Sequence, residues 1–249
     1  MLRRSIAVLL VLIVAIVALA AFAPATLVDR GIAAATEGRL RISDADGTLW
    51  HGRGYVADAR GAWRIPVGWA LAPTALLRGA MAVELEPLAD GGGPRGNVAL
   101  QEGTIELHSV SLTIPAAAAR TLTDASPVEL AGDIVVAAPA FRYVMSGGDG
   151  ALDVRWEHAR MAWSDALLDL GMVTAHLVPR GRELAGAITN AGGMARVDGD
   201  IALGPDSATV RLTIVPGPSV PPPIASAIAA LGVPEPSGGV RLQWRVGGR

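Results

Sequence analysis

Val240-Arg241-Leu242-Gln243-Trp244-Arg245-Val246 places an apolar residue at every second position and a polar one between each pair. Alternation with period two marks a β-strand with one dry face and one wet face. The same pattern recurs in Leu152-Asp153-Val154-Arg155-Trp156, in Arg39-Leu40-Arg41-Ile42, in Thr104-Ile105-Glu106-Leu107 and in Val210-Arg211-Leu212-Thr213-Ile214. Among them, 30 glycines and 17 prolines build turns such as Asp46-Gly47, Gly147-Gly148-Asp149-Gly150 and Asp198-Gly199. Turn signals spaced roughly 8–12 residues apart between short strands predict a mainly β chain. Its architecture is one curled antiparallel sheet, a sandwich or a partly open barrel.

A few short helices interrupt the strands. Pro73 stands where a first helical residue belongs, and Gly79 follows Ala75-Leu76-Leu77-Arg78 as a stop. Pro115 with Ala116 to Leu122 is a second candidate. Ile224 to Leu231, entered from Pro221-Pro222-Pro223 and closed by Gly232, is a third. Each is too short to be stable alone and must pack on a sheet.

The N-terminus has another character. Ser5 to Val28 carries no charge, and Ile6 to Ala23 is apolar throughout. A helix of this length is roughly 36 Å long, enough to cross a hydrocarbon core of about 30 Å with some tilt. Ile6, Leu9, Leu12, Val17 and Phe22 are its candidate membrane-facing residues. Arg3 and Arg4 precede the run, and the positive-inside bias keeps that end in the cytoplasm and exports the rest. Ala21-Phe22-Ala23 has the form of a signal-peptide cleavage site, but Pro24 would then be the first mature residue and the run exceeds the usual apolar core of such peptides. The expectation is a transmembrane anchor over 1–28 and one exported, periplasmic β-rich domain over 29–249. Neither Gly91-Gly92-Gly93-Pro94 nor Asp124-Ala125-Ser126-Pro127 is long or polar enough to read as a linker. Gly47 to Trp69 leading to Ala75-Leu76-Leu77, and Trp156 and Trp163 leading to Ala166-Leu167-Leu168, are loosely alike, as a duplication or by chance.

Composition excludes several functions. With no cysteine there are no disulfides, thiolate metal sites or cysteine nucleophiles. A net charge of −2 argues against a general nucleic-acid binder. All 21 basic residues are arginine, which reads as the coding bias of a GC-rich bacterial genome. The nucleophile-elbow, metalloprotease and phosphate-loop motifs are missing. His51, His108, His158 and His176 are scattered singly, as strand histidines with ordinary partners. Asp44-Ala45-Asp46-Gly47 resembles the opening of a calcium loop but lacks its later ligands, and a tight turn explains it better. Glu84 and Glu86 read as solvated charges on one strand face. Trp50, Trp63, Trp69, Trp156, Trp163 and Trp244 lie mostly in apolar stretches, where they fill a core otherwise built of small residues. No catalytic, cofactor or metal residue is assigned.

Two motifs carry a family resemblance. Gly47-Thr48-Leu49-Trp50-His51-Gly52 followed by Trp69-Ala70-Leu71-Ala72-Pro73-Thr74-Ala75-Leu76-Leu77-Arg78-Gly79 resembles type II secretion system protein N, with its G-T-[VL]-W-x-G and W-x-L-x-P-x-x-L-L-x-G elements. Gly47, Thr48, Trp50, Gly52, Trp69, Pro73, Leu77 and Gly79 are the matching structural positions. Asn190-Ala191-Gly192-Gly193-Met194 is similar to the family's N-x-G-G-x-L region, through Gly192 and Gly193. Asp44 departs from the pattern, which leads one to expect glycine there. The resemblance implies a non-enzymatic component of the machinery that carries folded exoproteins across the outer membrane of Gram-negative bacteria. It implies an inner-membrane subunit with a periplasmic domain, whose partners are the outer-membrane secretin and the inner-membrane platform proteins, with membrane lipid reached through the anchor. Val240, Leu242, Trp244 and Val246 are the candidate edge strand for a partner. The alternative is a periplasmic lipid-binding or transfer protein with an open β-groove, and a weaker one is a hydrolase assembled from residues such as His51 and Asp46.

Overall fold

The computed structural model describes residues 22–88, 92–118, 129–144, 146–163, 166–205, 207–236 and 238–247. The chain divides at Gly93–Pro94 into two compact units.

Unit 1 holds helix α1 (Thr26–Ala35), strands β1 (Leu40–Gly47), β2 (His51–Asp58) and β3 (Arg64–Leu71), helix α2 (Pro73–Leu76) and strand β4 (Ala80–Glu86). The strands pair antiparallel in chain order. Their dry face packs Ile42, Val67 and Trp69 against Ala25, Val28 and Ile32 at the start and along one side of α1. Val28 and Ile32 are one helical turn apart, so both reach the sheet. Asp29, in the first turn, turns to β1 instead. Its Oδ1 accepts the Ile42 N–H at 2.8 Å, and its two oxygens accept from the Arg41 guanidinium at 2.9 and 2.6 Å. The hydrogen bonds from Arg41, aided by the Ile42 amide and opposed by burial, hold this carboxyl at about 2, below the usual range. Thr36 Oγ1 accepts the Leu40 N–H at 3.2 Å. Thr36 and Asp29, at the end of α1 and in its first turn, therefore take up the Leu40 and Ile42 amides, and the first part of the outer edge of β1 is closed.

The uncharged run meets this unit directly. Residues 5–21 lie outside the described residues, and with them Ile6, Leu9, Leu12 and Val17. Phe22 is 80% exposed, whereas Ala23 and Ala25 are buried and α1 starts at Thr26. Ala23 to Val28 thus belong to the folded unit, and the boundary drawn after Val28 falls inside α1. Among the described residues no helix is long and apolar enough to cross a membrane.

Unit 2 is antiparallel as well. Its strands are β5 (Arg95–Gln101), β6 (Thr104–Pro115), β7 (Glu129–Val144), β8 (Gly147–Gly150), β9 (Leu152–Trp163), β10 (Ala166–Arg180), β11 (Glu183–Ala191), β12 (Ala195–Leu203), β13 (Ser207–Pro216), β14 (Val233–Pro234) and β15 (Val240–Gly247). The order is β5-β6-β7-β9-β10-β11-β12-β13-β15-β14, with β8 a short flap on β7. The first and last of these strands do not pair, so this sheet is open. Of the architectures expected from sequence, the antiparallel sheet that does not close is the one present among the described residues.

Register sorts the two faces of unit 2. The row Leu112, Val136, Val154, Ala175, Ile188, Gly199, Leu212, Leu242 crosses eight strands on one face. The offset row Ser111, Ala137, Asp153, His176, Ala187, Asp200, Arg211, Gln243 lies on the other. Helix α3 (Pro222–Leu231) covers part of the dry face, where Ile228 is fully buried among Leu168, Leu170, Ile188, Val197, Ile214, Val240 and Leu242. Beyond it, Leu112, Val136 and Val154 are only half-buried.

The helix candidates from sequence fare unevenly. α2 begins at Pro73, its last turn closes by the Gly79 N–H to the Leu76 carbonyl, and Gly79 takes φ +70°. α3 runs to Leu231 before Gly232. After Pro115 only a 3-10 turn, Ala116–Ala118, is described, and the rest of that candidate, with Asp124–Pro127, lies outside. The loose duplication has no structural counterpart: Ala75-Leu76-Leu77 forms a helix and its end, whereas Leu167 and Leu168 pair with Ala162 and Met161 in β10.

Candidate functional site

The first motif is a turn built around backbone crowding. Gly47 takes φ +95°, and a Cβ there would stand 2.6 Å from the His51 carbonyl oxygen. The Thr48 N–H donates to that same oxygen at 2.8 Å, while Thr48 Oγ1 accepts the His51 N–H at 3.1 Å. Gly52 lies under Trp69, whose indole N–H donates to the Leu49 carbonyl at 3.1 Å and whose side chain is 4% exposed. The second motif thus supplies the ring that the first motif's glycine makes room for. Trp50 is half-buried in the turn, and its carbonyl accepts the Leu71 N–H at 2.6 Å.

Asp44, the departure from the family pattern, takes φ +52°. It adopts the left-handed conformation that glycine holds without strain, at an irregularity of β1 between Ser43 and Asp46. Asp44→Gly is expected to stabilise unit 1 by about 0.5–1 kcal/mol, the strain removed less the extra chain entropy that glycine loses on folding. A denaturation midpoint that falls instead would count against it.

The same turn receives the chain from the uncharged run. The Leu49 N–H donates to the Ala23 carbonyl at 2.7 Å, the Ala25 N–H to the Gly47 carbonyl at 3.3 Å, and Pro24 bridges to Thr48.

In unit 2, Gly192 and Gly193 take φ +76° and +81° in the turn after β11. Asn190, beside them, is the working residue, and the site assignments from sequence missed it. Its Nδ2 donates to the carbonyls of Leu170 and Ala195, both at 2.8 Å, and of Gly192 at 3.2 Å, while Oδ1 accepts the Val197 N–H at 2.7 Å. An asparagine spaced before two glycines was the visible signal.

β15 pairs with β13 along its whole length, Val240 opposite Ile214 to Gly247 opposite Ser207. On its other side β14 supplies only Val233 and Pro234, opposite Arg241 and Val240. A Cβ on Gly232 would lie against the Arg241 carbonyl oxygen, so that carbonyl faces β14. Alternate residues of an antiparallel strand turn their amides to opposite neighbours. Gln243 and Arg245, in phase with Arg241, therefore face outward, where no strand covers them among the described residues. Leu242 is buried, and Trp244 is 46% exposed, unlike the core-filling tryptophan the sequence led one to expect. Trp156 does serve packing, half-buried with its indole N–H donating to the Ala131 carbonyl at 2.9 Å.

A few titratable residues line two open depressions. One of about 340 Å³ in unit 1 is lined by Asp46, His51, Arg53 and Glu86. Arg53 occupies the Asp46 carboxylate through Nε at 3.1 Å and a terminal nitrogen at 2.9 Å, with no imidazole hydrogen bond to it. The other, about 430 Å³, lies on the wet face of unit 2 with Asp153, Arg155, Thr174, His176 and Thr189. There His176 Nδ1 is 2.7 Å from Asp153 Oδ1, both side chains in solvent. His51, His108, His158 and His176 stand exposed on four different strands. Glu84 is exposed and Glu86 half-buried at the end of β4.

Residues 38–243 match the family model for type II secretion system (T2SS) protein N. No curated protein and no solved structure matches the chain. The match runs from just before β1 into β15 and takes in the turn around Gly52, the Trp69–Gly79 element and the Asn190 loop. A run of that extent, through both units and all three motifs, assigns the chain to the type II secretion system protein N family, a component of the protein secretion machinery.

Proposed function

We propose that this chain is a non-enzymatic scaffold of type II secretion, anchored in the inner membrane by its N-terminal apolar run and contacting other secretion subunits from the periplasm. The contact runs through the outer side of β15. The observation that carries this reading is the short reach of β14, which leaves the amides of Gln243 and Arg245 available to a strand from the secretin or a platform subunit.

Gln243→Pro removes an outward N–H while leaving the β13 side of β15 intact. It is expected to weaken partner crosslinking in cells roughly tenfold or more, from loss of a backbone bond of about 1 kcal/mol and obstruction of its neighbours. Exoprotein release falls with it, and the thermal melt stays near wild type. Undiminished crosslinking and secretion in a folded Gln243→Pro protein refutes strand addition at this edge.

One observation favours the second reading, carriage of lipid. The dry face of unit 2 continues past α3 through half-buried Leu112, Val136 and Val154. An acyl chain would cover such a strip. Native mass spectrometry of purified protein separates the readings: bound phospholipid in stoichiometric amount supports a groove, and a lipid-free mass removes it.

A further inference from the structure

One end of unit 1 gathers exposed apolar side chains around the point where the uncharged run enters. Phe22, the last residue of that run before the buried Ala23, is 80% exposed. The Ala23 carbonyl is fixed to Leu49 and Pro24 to Thr48, so the entry point is tied to the β1–β2 turn. The Trp50 carbonyl in that turn holds the Leu71 N–H at the end of β3, and α2 begins two residues later. Leu76 is 44% exposed, Leu77 is 88% exposed and Met81 is 38% exposed, with Arg78 exposed beside them. The connection at the opposite end of the strands, residues 59–63, carries one large apolar side chain, the half-buried Trp63.

A cluster of exposed apolar side chains marks an interaction surface, and its position names the occupant. About 16 apolar residues, Ile6 to Ala21, lead to this very end. We infer that Leu76, Leu77 and Met81 dip into the lipid headgroup region of the bilayer that holds the N-terminal run, with Arg78 reaching a lipid phosphate. Apolar side chains buried at the headgroup boundary and a snorkelling guanidinium are the ordinary chemistry of an interfacial contact. Unit 1 is then held against the membrane in one orientation at two points, the entry segment and α2. This rests on the membrane anchoring proposed above.

The chain has no cysteine of its own, so single cysteines can be placed at will. Full-length Val17→Cys, Leu77→Cys and Ala62→Cys proteins are labelled with an environment-sensitive fluorophore. They are then reconstituted into phosphatidylethanolamine–phosphatidylglycerol vesicles containing a spin-labelled quencher lipid. The expected result is blue-shifted, quenched emission at positions 17 and 77, and water-like, unquenched emission at position 62. Quenching at 17 with water-like emission at 77 overturns the interfacial contact and leaves the anchor standing. No quenching at 17 overturns the anchor and the contact together, and quenching at all three overturns the fixed orientation.

Discussion

Asn190→Ala is expected to lower the unfolding free energy of the protein by about 3–4 kcal/mol. The residue occupies a position in the dry-face row between Val173 and Val197, where an apolar side chain would be ordinary. It instead ties three backbone carbonyls and one amide from β10, the β11–β12 turn and β12 into a single knot. Its amide has two donors for three carbonyls, so one of these bonds is shared. Alanine leaves at least three bonds unmade at about 1 kcal/mol each, and the partly buried groups they served gain no substitute. Asn190→Asp should be at least as damaging, because a carboxylate would face the Leu170 and Ala195 carbonyls without a proton to offer. Denaturant titration of both variants measures the loss, and amide exchange localises it to β11 and β12. A loss below about 1 kcal/mol in either variant would show that the turn stands on its glycines alone.

Gly52→Ala is expected to cost about 3 kcal/mol or more and to loosen the entry segment as well as the sheet. The added Cβ would lie 2.5 Å from Trp69 Cζ2 and 2.9 Å from the carbonyl oxygens of Asp46 and Thr48. Two of those three atoms are backbone, and the third belongs to an indole pinned to the Leu49 carbonyl. Relief requires either Trp69 to leave the core or the turn to open, and the turn is what holds Ala23. The measured signatures would be a shifted tryptophan emission, a lowered melting temperature and new proteolytic cleavage near residues 22–26. A variant that melts like wild type and resists protease there would refute the account.

Much of the strand architecture was legible from alternation alone, since a strand with one face in water must repeat every second residue. Val240–Val246, Leu152–Trp156 and Val210–Ile214 all lie in strands of the structure. The start and stop of α2 were legible for a related reason: Pro73 and Gly79 act through their own backbone restrictions and need no tertiary partner. What stayed hidden depends on long-range neighbours. Val28 counts as one more apolar residue in an uncharged run, and only the fold packs it against the core of unit 1. Ala-Leu-Leu occurs twice and folds differently, because Pro73 starts a helix before one copy while β9 pairs with the other. Asn190 and Asp29 owe their importance to groups brought near by the fold. As patterns of small residues, the family motifs could not say which side chains fill the space.

The sealing of β1 by Asp29 and Thr36 has a consequence for stoichiometry. On the strand-addition proposal, a copy offering the outward amides of β15 would find the Leu40 and Ile42 amides of β1 already taken, which disfavours joining head to tail with its own kind. Two copies meeting through β15 would use up both sticky borders and terminate there.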